Sequence, residues 1–226
     1  TALSIGEAFL DSYLRGNTVV TVGDLLGMEY ILGKVSELAP DDHYLVSRAA
    51  LALAKYYSYS PIADRWRAAQ ILQGVLSLRL TADVGPELMY TLGHRLAESQ
   101  QHAEAEGAWA EILDKWPTSG FAWTARRDMA ALKLLVGDYE GAEKSVLAIL
   151  EKDTQVYARF RARQMLCSIY QQAAWPEKEK AALESLLELA NGWLSDGTSC
   201  SPRWQMVAED AVLRCELRLA ELREEA

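Results

Sequence analysis

Tyr90 and His94 stand four residues apart, so on a helix they share one face. A phenol beside an imidazole offers an aromatic or hydrogen-bonding spot for a peptide. The same pair can equally close on itself as a contact within the helix. Five arginines fall in two clusters, Arg126 and Arg127, then Arg159, Arg161 and Arg163. A guanidinium forks onto a carboxylate of a partner, but it can also pair with an acid of its own chain or stay solvated. The other reactive residue types are not arranged for catalysis. His43, His94 and His102 lack ligand spacing such as HExxH, and His43, following Asp41-Asp42, reads as the first turn of a helix. Gly27 to Val35 (GMEYILGKV) has five residues between its glycines, not four, and valine where a P-loop has Ser or Thr. GxSxG and GxGxxG do not occur. Glu104 and Glu106 point to different faces of a helix and make no acid–base pair. The expectation is no enzyme, no catalytic residue, no metal and no cofactor.

The bulk composition narrows the partners. Half of the 226 residues are hydrophobic, enough for a continuous core, and the net charge is −9 with a pI near 4.9. That charge repels nucleic acid phosphates on average, so no nucleic acid partner is expected. Three cysteines at uneven spacing include no CxxC. Cys167 and Cys215 sit among apolar neighbours and read as small core residues, and a Cys200–Cys215 disulfide stays open. No apolar run approaches the roughly 18 residues that cross a bilayer. The chain starts at Thr1, not Met, and reads as a processed or excised segment of a soluble protein. Cytoplasm and bacterial periplasm or cell envelope both stay open.

Turn and cap residues set out the elements that must position these side chains. Ser60-Pro61, Gly85-Pro86, Trp175-Pro176 and Ser201-Pro202 each place proline where a helix begins, and Ser60 and Ser201 can cap. Thr21 with Asp24 resembles a capping box, and Thr118-Ser119 and Asp153-Thr154 supply two more starts. Helices are predicted at 3–15, 21–38, 42–58, 61–80, 86–99, 103–115, 119–136, 139–151, 155–172, 177–191 and 203–224. Val19-Val20-Thr21-Val22 is β-like but isolated, and is read as a linker. A polar loop is predicted from Asn191 to Ser201.

A spaced pattern runs through these helices. Leu92-Gly93, Leu96, Ala105, Trp109 and Pro117 form it, and Met129-Ala130, Ala142 and Val146 repeat it 37 residues later. A fixed period of this length marks stacked helical hairpins. The pattern resembles the tetratricopeptide repeat (TPR) family, best over residues 86–190. GDYEGAEKS, from Gly137, is a TPR-like turn and second-helix start; Lys133 departs from the usual apolar residue, and the closing proline is missing. A third copy begins near Phe160 with Leu166, Cys167 and Tyr170. Its turn, Ala173 to Pro176, is read as longer, which passes the packing roles to Ala182 and Leu186. A helix pair over 42–80 has an unclear register, and residues 1–39 make a further degenerate pair. DKWPTSGFAWTARRDMA is similar to segments of TPR proteins of bacterial cell-envelope assembly.

The resemblance implies an all-α, right-handed superhelix of four to five antiparallel pairs, closed by a capping helix at 203–224. The whole of 1–226 is then one helical-repeat domain. It also implies a concave groove lined by first helices. Register transfer puts Glu87, Tyr90, His94 and Glu98 there from the first copy, Thr124, Arg127 and Asp128 from the second, and Arg161, Gln164, Ser168 and Gln171 from the third. Tyr90, His94, Arg127, Arg161 and Gln164 are the expected contacts to a protein or peptide partner, an acidic one if the arginines are used. The family's carboxylate clamp is not expected, because Ala131 stands where it needs Asn. The alternatives are a self-associating subunit, packing through 203–224, and a small-ligand sensor. Trp66, Trp116, Trp123, Trp193 and Trp204 exceed what a core needs; an exposed one would mark a hot spot.

Overall fold

Aspartates open several helices. Asp42 Oδ1 accepts the Leu45 N–H (3.0 Å), Asp64 Oδ1 that of Arg67 (2.8 Å) and Asp138 Oδ1 that of Gly141 (2.9 Å). Each satisfies an N–H that has no partner inside its helix. The computed structural model describes residues 22–59, 64–152, 156–196 and 202–225. The expected helix at 3–15, the capping box at Thr21 and the caps at Ser60, Asp153-Thr154 and Ser201 lie outside them.

The described residues are all-α, with no strand among them. They form α1 (Val22–Leu38), α2 (His43–Tyr59), α3 (Arg65–Gln73), α4 (Gly85–Glu98), α5 (His102–Lys115), α6 (Gly120–Leu135), α7 (Tyr139–Lys152), α8 (Val156–Gln172), α9 (Pro176–Asp196) and α10 (Pro202–Glu224). The chain divides into two compact units at Ala125/Arg126, within the span of α6. In the first unit α1 to α5 each pack on the next, and α2 also meets α4. In the second, α7 to α10 each pack on the next. Consecutive hairpins stacked in this way are the packing of an α-solenoid.

Three boundaries differ from the sequence reading. The helix expected over 61–80 begins at Arg65, capped by Asp64, and stops at Gln73. From there the Val75 and Leu76 N–H groups bond the carbonyls three residues back, and Gly74 stands at the break. The loop expected from Asn191 is helical to Asp196. Trp193 stacks on Phe160 (4.7 Å between centroids), and Leu194 packs on the same core, so burial outweighs the weak helix preference of Asn191-Gly192.

The period of 37 reappears as backbone geometry. Gln100, Gly137 and Ala174 have positive φ (61°, 80° and 53°) and lie 37 residues apart. Each ends a helix through one pair of bonds. Gln101 N–H donates to Leu96 O, Asp138 N–H to Lys133 O and Trp175 N–H to Tyr170 O, all at 2.9 Å. These are Schellman caps in one register. The third turn is therefore not longer than the others. The residues in register with Ala105 and Trp109 are Glu179 and Leu183, not Ala182 and Leu186. Upstream, the Ala68 N–H donates to Asp64 O as Ala105 does to Gln101 O and Ala142 to Asp138 O. The pair at 42–80 thus keeps the same spacing. Ala68, Ala105 and Ala142 are fully buried, and at the fourth position Glu179 is 3% exposed.

Candidate functional site

The expected contact residues fall in both units. In the first, Tyr90 and His94 meet on α4: the hydroxyl lies 2.9 Å from His94 Nε2 and the rings stand edge-on at 4.8 Å. Phe121 approaches Tyr90 (5.3 Å) and Trp109 approaches His94 (5.6 Å). The pair is half-buried within an aromatic cluster. Gly93 underlies it, since a Cβ there would stand 2.3 Å from Trp109 Nε1. Glu87 is taken up by Lys55 of α2.

In the second unit Arg127 Nε donates to Asp128 Oδ1 (2.6 Å). Arg161 donates to Gln164 Oε1 (3.0 Å) and lies over the Tyr157 ring (5.9 Å). Arg163 donates to Ser185 Oγ (2.9 Å). These three arginines thus make contacts within this chain.

A groove of about 380 Å³ lies among α8, α9 and α10. Gln164, Ser168 and Gln171 line it, three of the four third-copy positions named from register. Arg161 is not among its lining residues. The opposite wall comes from α10, with Ala211, Arg214, Leu217, Arg218 and Glu221, and Leu183 and Leu186 add apolar surface from α9. The array builds this wall because Phe160 of α8 shares a buried core with Ala208, Ala211, Cys215 and Leu219 of α10. Tyr157 against Trp204 (4.5 Å) fixes the N-terminal ends of the two helices together. Two further residues of the groove, Cys167 and Cys215, carry free thiols. Burial pushes the Cys167 thiol up to about 12, with Cys215 and Glu179 adding to it, and burial also raises Cys215. Such thiols are poor nucleophiles at neutral pH. Cys200 lies outside the described residues.

No protein-family model matches the chain, and no curated protein is similar to it. Among solved structures it is similar to the crystal structure of BtubC (BKLC) from P. vanneervenii. The TM-score is 0.57 at 14% identity, over 89% of this chain and 90% of that one. At that identity the likeness is one of fold.

Sequence reasoning missed the centre of the groove. Glu179 Oε1 accepts Arg218 Nε–H (2.8 Å) and Oε2 accepts Nη2–H (3.3 Å). Arg218 Nη1 donates to Glu221 (3.0 Å) and Glu225 (3.1 Å). These bonds, that to Glu179 first, raise the Arg218 pKa still further. A carboxylate in the small-residue register of a repeat was the signal, and the assumed longer turn hid it. Elsewhere Glu143 holds α7 to the next hairpin. It accepts Tyr170 Oη–H (2.8 Å) and Lys178 Nζ–H (2.9 Å), with Lys178 over the Trp175 ring (4.4 Å). Among the described residues no group of three or more His, Cys, Asp or Glu could hold a metal, and no helix is long and apolar enough to cross a membrane.

Proposed function

We propose that the chain is a TPR-like binding scaffold that takes a peptide segment of a protein partner in the groove among α8, α9 and α10. One observation carries the reading: Gln164, Ser168 and Gln171 line an open groove whose far wall is another long helix. Amide and hydroxyl groups over an apolar floor suit an extended main chain, with pockets for its apolar side chains. No catalytic step is assigned to it. Ser168 is exposed, so Ser168→Trp fills the groove without entering the core. Affinity capture from native extract, read by mass spectrometry, should give partners that S168W loses. Equal capture by both proteins would remove the groove from the proposal.

Self-association is a second reading, favoured by α10. Met206, Leu213 and Leu217 are 70%, 66% and 61% exposed along it, and apolar surface of that kind marks contact sites. Light scattering at micromolar concentration separates the readings: a monomer removes the second.

A further inference from the structure

Arg218 presents two edges held in different ways. Its inner edge is locked. Nε and Nη2 fork onto Glu179, whose side chain is 4% exposed, so turning the guanidinium away would strand a buried carboxylate. Its outer edge is covered by Glu221 and Glu225, whose side chains are 50% and 60% exposed. Exposed ion pairs of this kind exchange at little cost. Both carboxylates also sit at the C-terminal end of α10, where they oppose the helix dipole. Arg214, one turn earlier and 78% exposed, lines the same groove and pairs with exposed Asp210 (2.8 Å).

We propose that Arg218 and Arg214 form the docking point for an acidic peptide, which Glu221 and Glu225 occupy in cis until the peptide displaces them. The inference rests on the groove reading above and names the partner's chemistry. A guanidinium fixed along one edge is pre-organised to accept a carboxylate on the other, and the chain's own glutamates already show how that carboxylate sits. Leu183 and Leu186 below, and Leu217 on the wall, offer apolar surface for a side chain beside the acid. The glutamates make α10 its own competitor, so the free protein weakens the binding of an acidic peptide by a small factor.

The test is an array of short synthetic peptides randomised at every position, probed with five proteins. These are wild type, Glu221→Gln/Glu225→Gln, Arg214→Glu, Ser168→Trp, and a charge-matched control, Glu140→Gln/Glu151→Gln, on the exposed face of α7. Circular dichroism confirms that each is folded. Wild type should enrich peptides with Asp or Glu beside an apolar residue. The Glu221/Glu225 variant should bind them about threefold tighter, the loss of two weak, exposed ion pairs. The α7 control should match wild type and R214E should lose the selection. Enrichment of neutral or basic peptides that S168W abolishes would overturn the acidic partner and leave the groove standing. An equal gain in the two glutamine variants would overturn the displacement. No enrichment at all would remove both.

Discussion

At the scale of single residues the decisive positions are those where neighbours leave no slack. A methyl on Gly93 would stand 2.3 Å from Trp109 Nε1, well inside van der Waals contact, so Gly93→Ala must displace the indole. We expect a loss of about 1–3 kcal/mol by denaturant unfolding, recovered in part when Trp109 is shortened to Leu. Glu179 is the opposite case, a charge where the other repeats hold alanine. Arg218→Met strands that carboxylate and should cost about 3 kcal/mol, whereas Glu179→Ala with Arg218→Met should lie near wild type. Equal losses in the single and double variants would show that the ion pair is not what couples α9 to α10. Glu29 supplies a pH test. The hydrogen bond from Arg67, then that from Tyr57, holds its carboxyl below the ordinary 4.5, against a burial that pushes it up. Its folded pKa is below its unfolded one. Its contribution is therefore complete above about 4.5 and is lost as pH falls through the folded value. Unfolding free energies followed downward in pH should fall less steeply for Glu29→Gln than for wild type. Parallel curves would show that the contact with Arg67 contributes nothing.

At the scale of elements the turns carry the fold. Ala174 adopts a φ of 53° that its Cβ disfavours, and Gly137 adopts 80° without that penalty. Ala174→Gly should therefore stabilise the protein by about 0.5–1 kcal/mol, and Gly137→Ala should destabilise it by a similar amount. Thermal melts of the two variants should move in opposite directions. These turns also explain how far the elements were legible. The spacing of Gly93, Ala105 and Trp109 exposed the repeat because small and large residues alternate where helices cross. The helix ends at 73 and 196 were not legible. One depends on bonds shifting to a tighter turn at Gly74, the other on a tryptophan finding Phe160 from 33 residues away. The third hairpin was misread for a related reason. Glutamate on a helix looks like surface, and only Arg218, 39 residues on, makes it core.

At the scale of the molecule, each unit packs helices that are close in sequence. Loop closure then costs little, and the main refolding phase of each unit should finish within milliseconds. Seven tryptophans, four before Ala125 and three after, give stopped-flow fluorescence a signal from both units. A dominant phase lasting seconds would contradict local packing. The candidate site was legible in part. Register named Gln164, Ser168 and Gln171, because one wall of the groove belongs to a regular repeat. The other wall was not legible, since α10 lies beyond the period and the resemblance makes it a capping helix.

Glu179 has one more effect. Alanine at its position would accept any neighbouring helix of suitable shape, so such modules could be shuffled freely. A carboxylate accepts only a successor that brings a cation to the same depth. Grafting the α8 sequence in place of α10 should therefore fail to dock, even though both helices are apolar on the correct side. The junction of α9 with α10 is keyed by the Glu179–Arg218 pair.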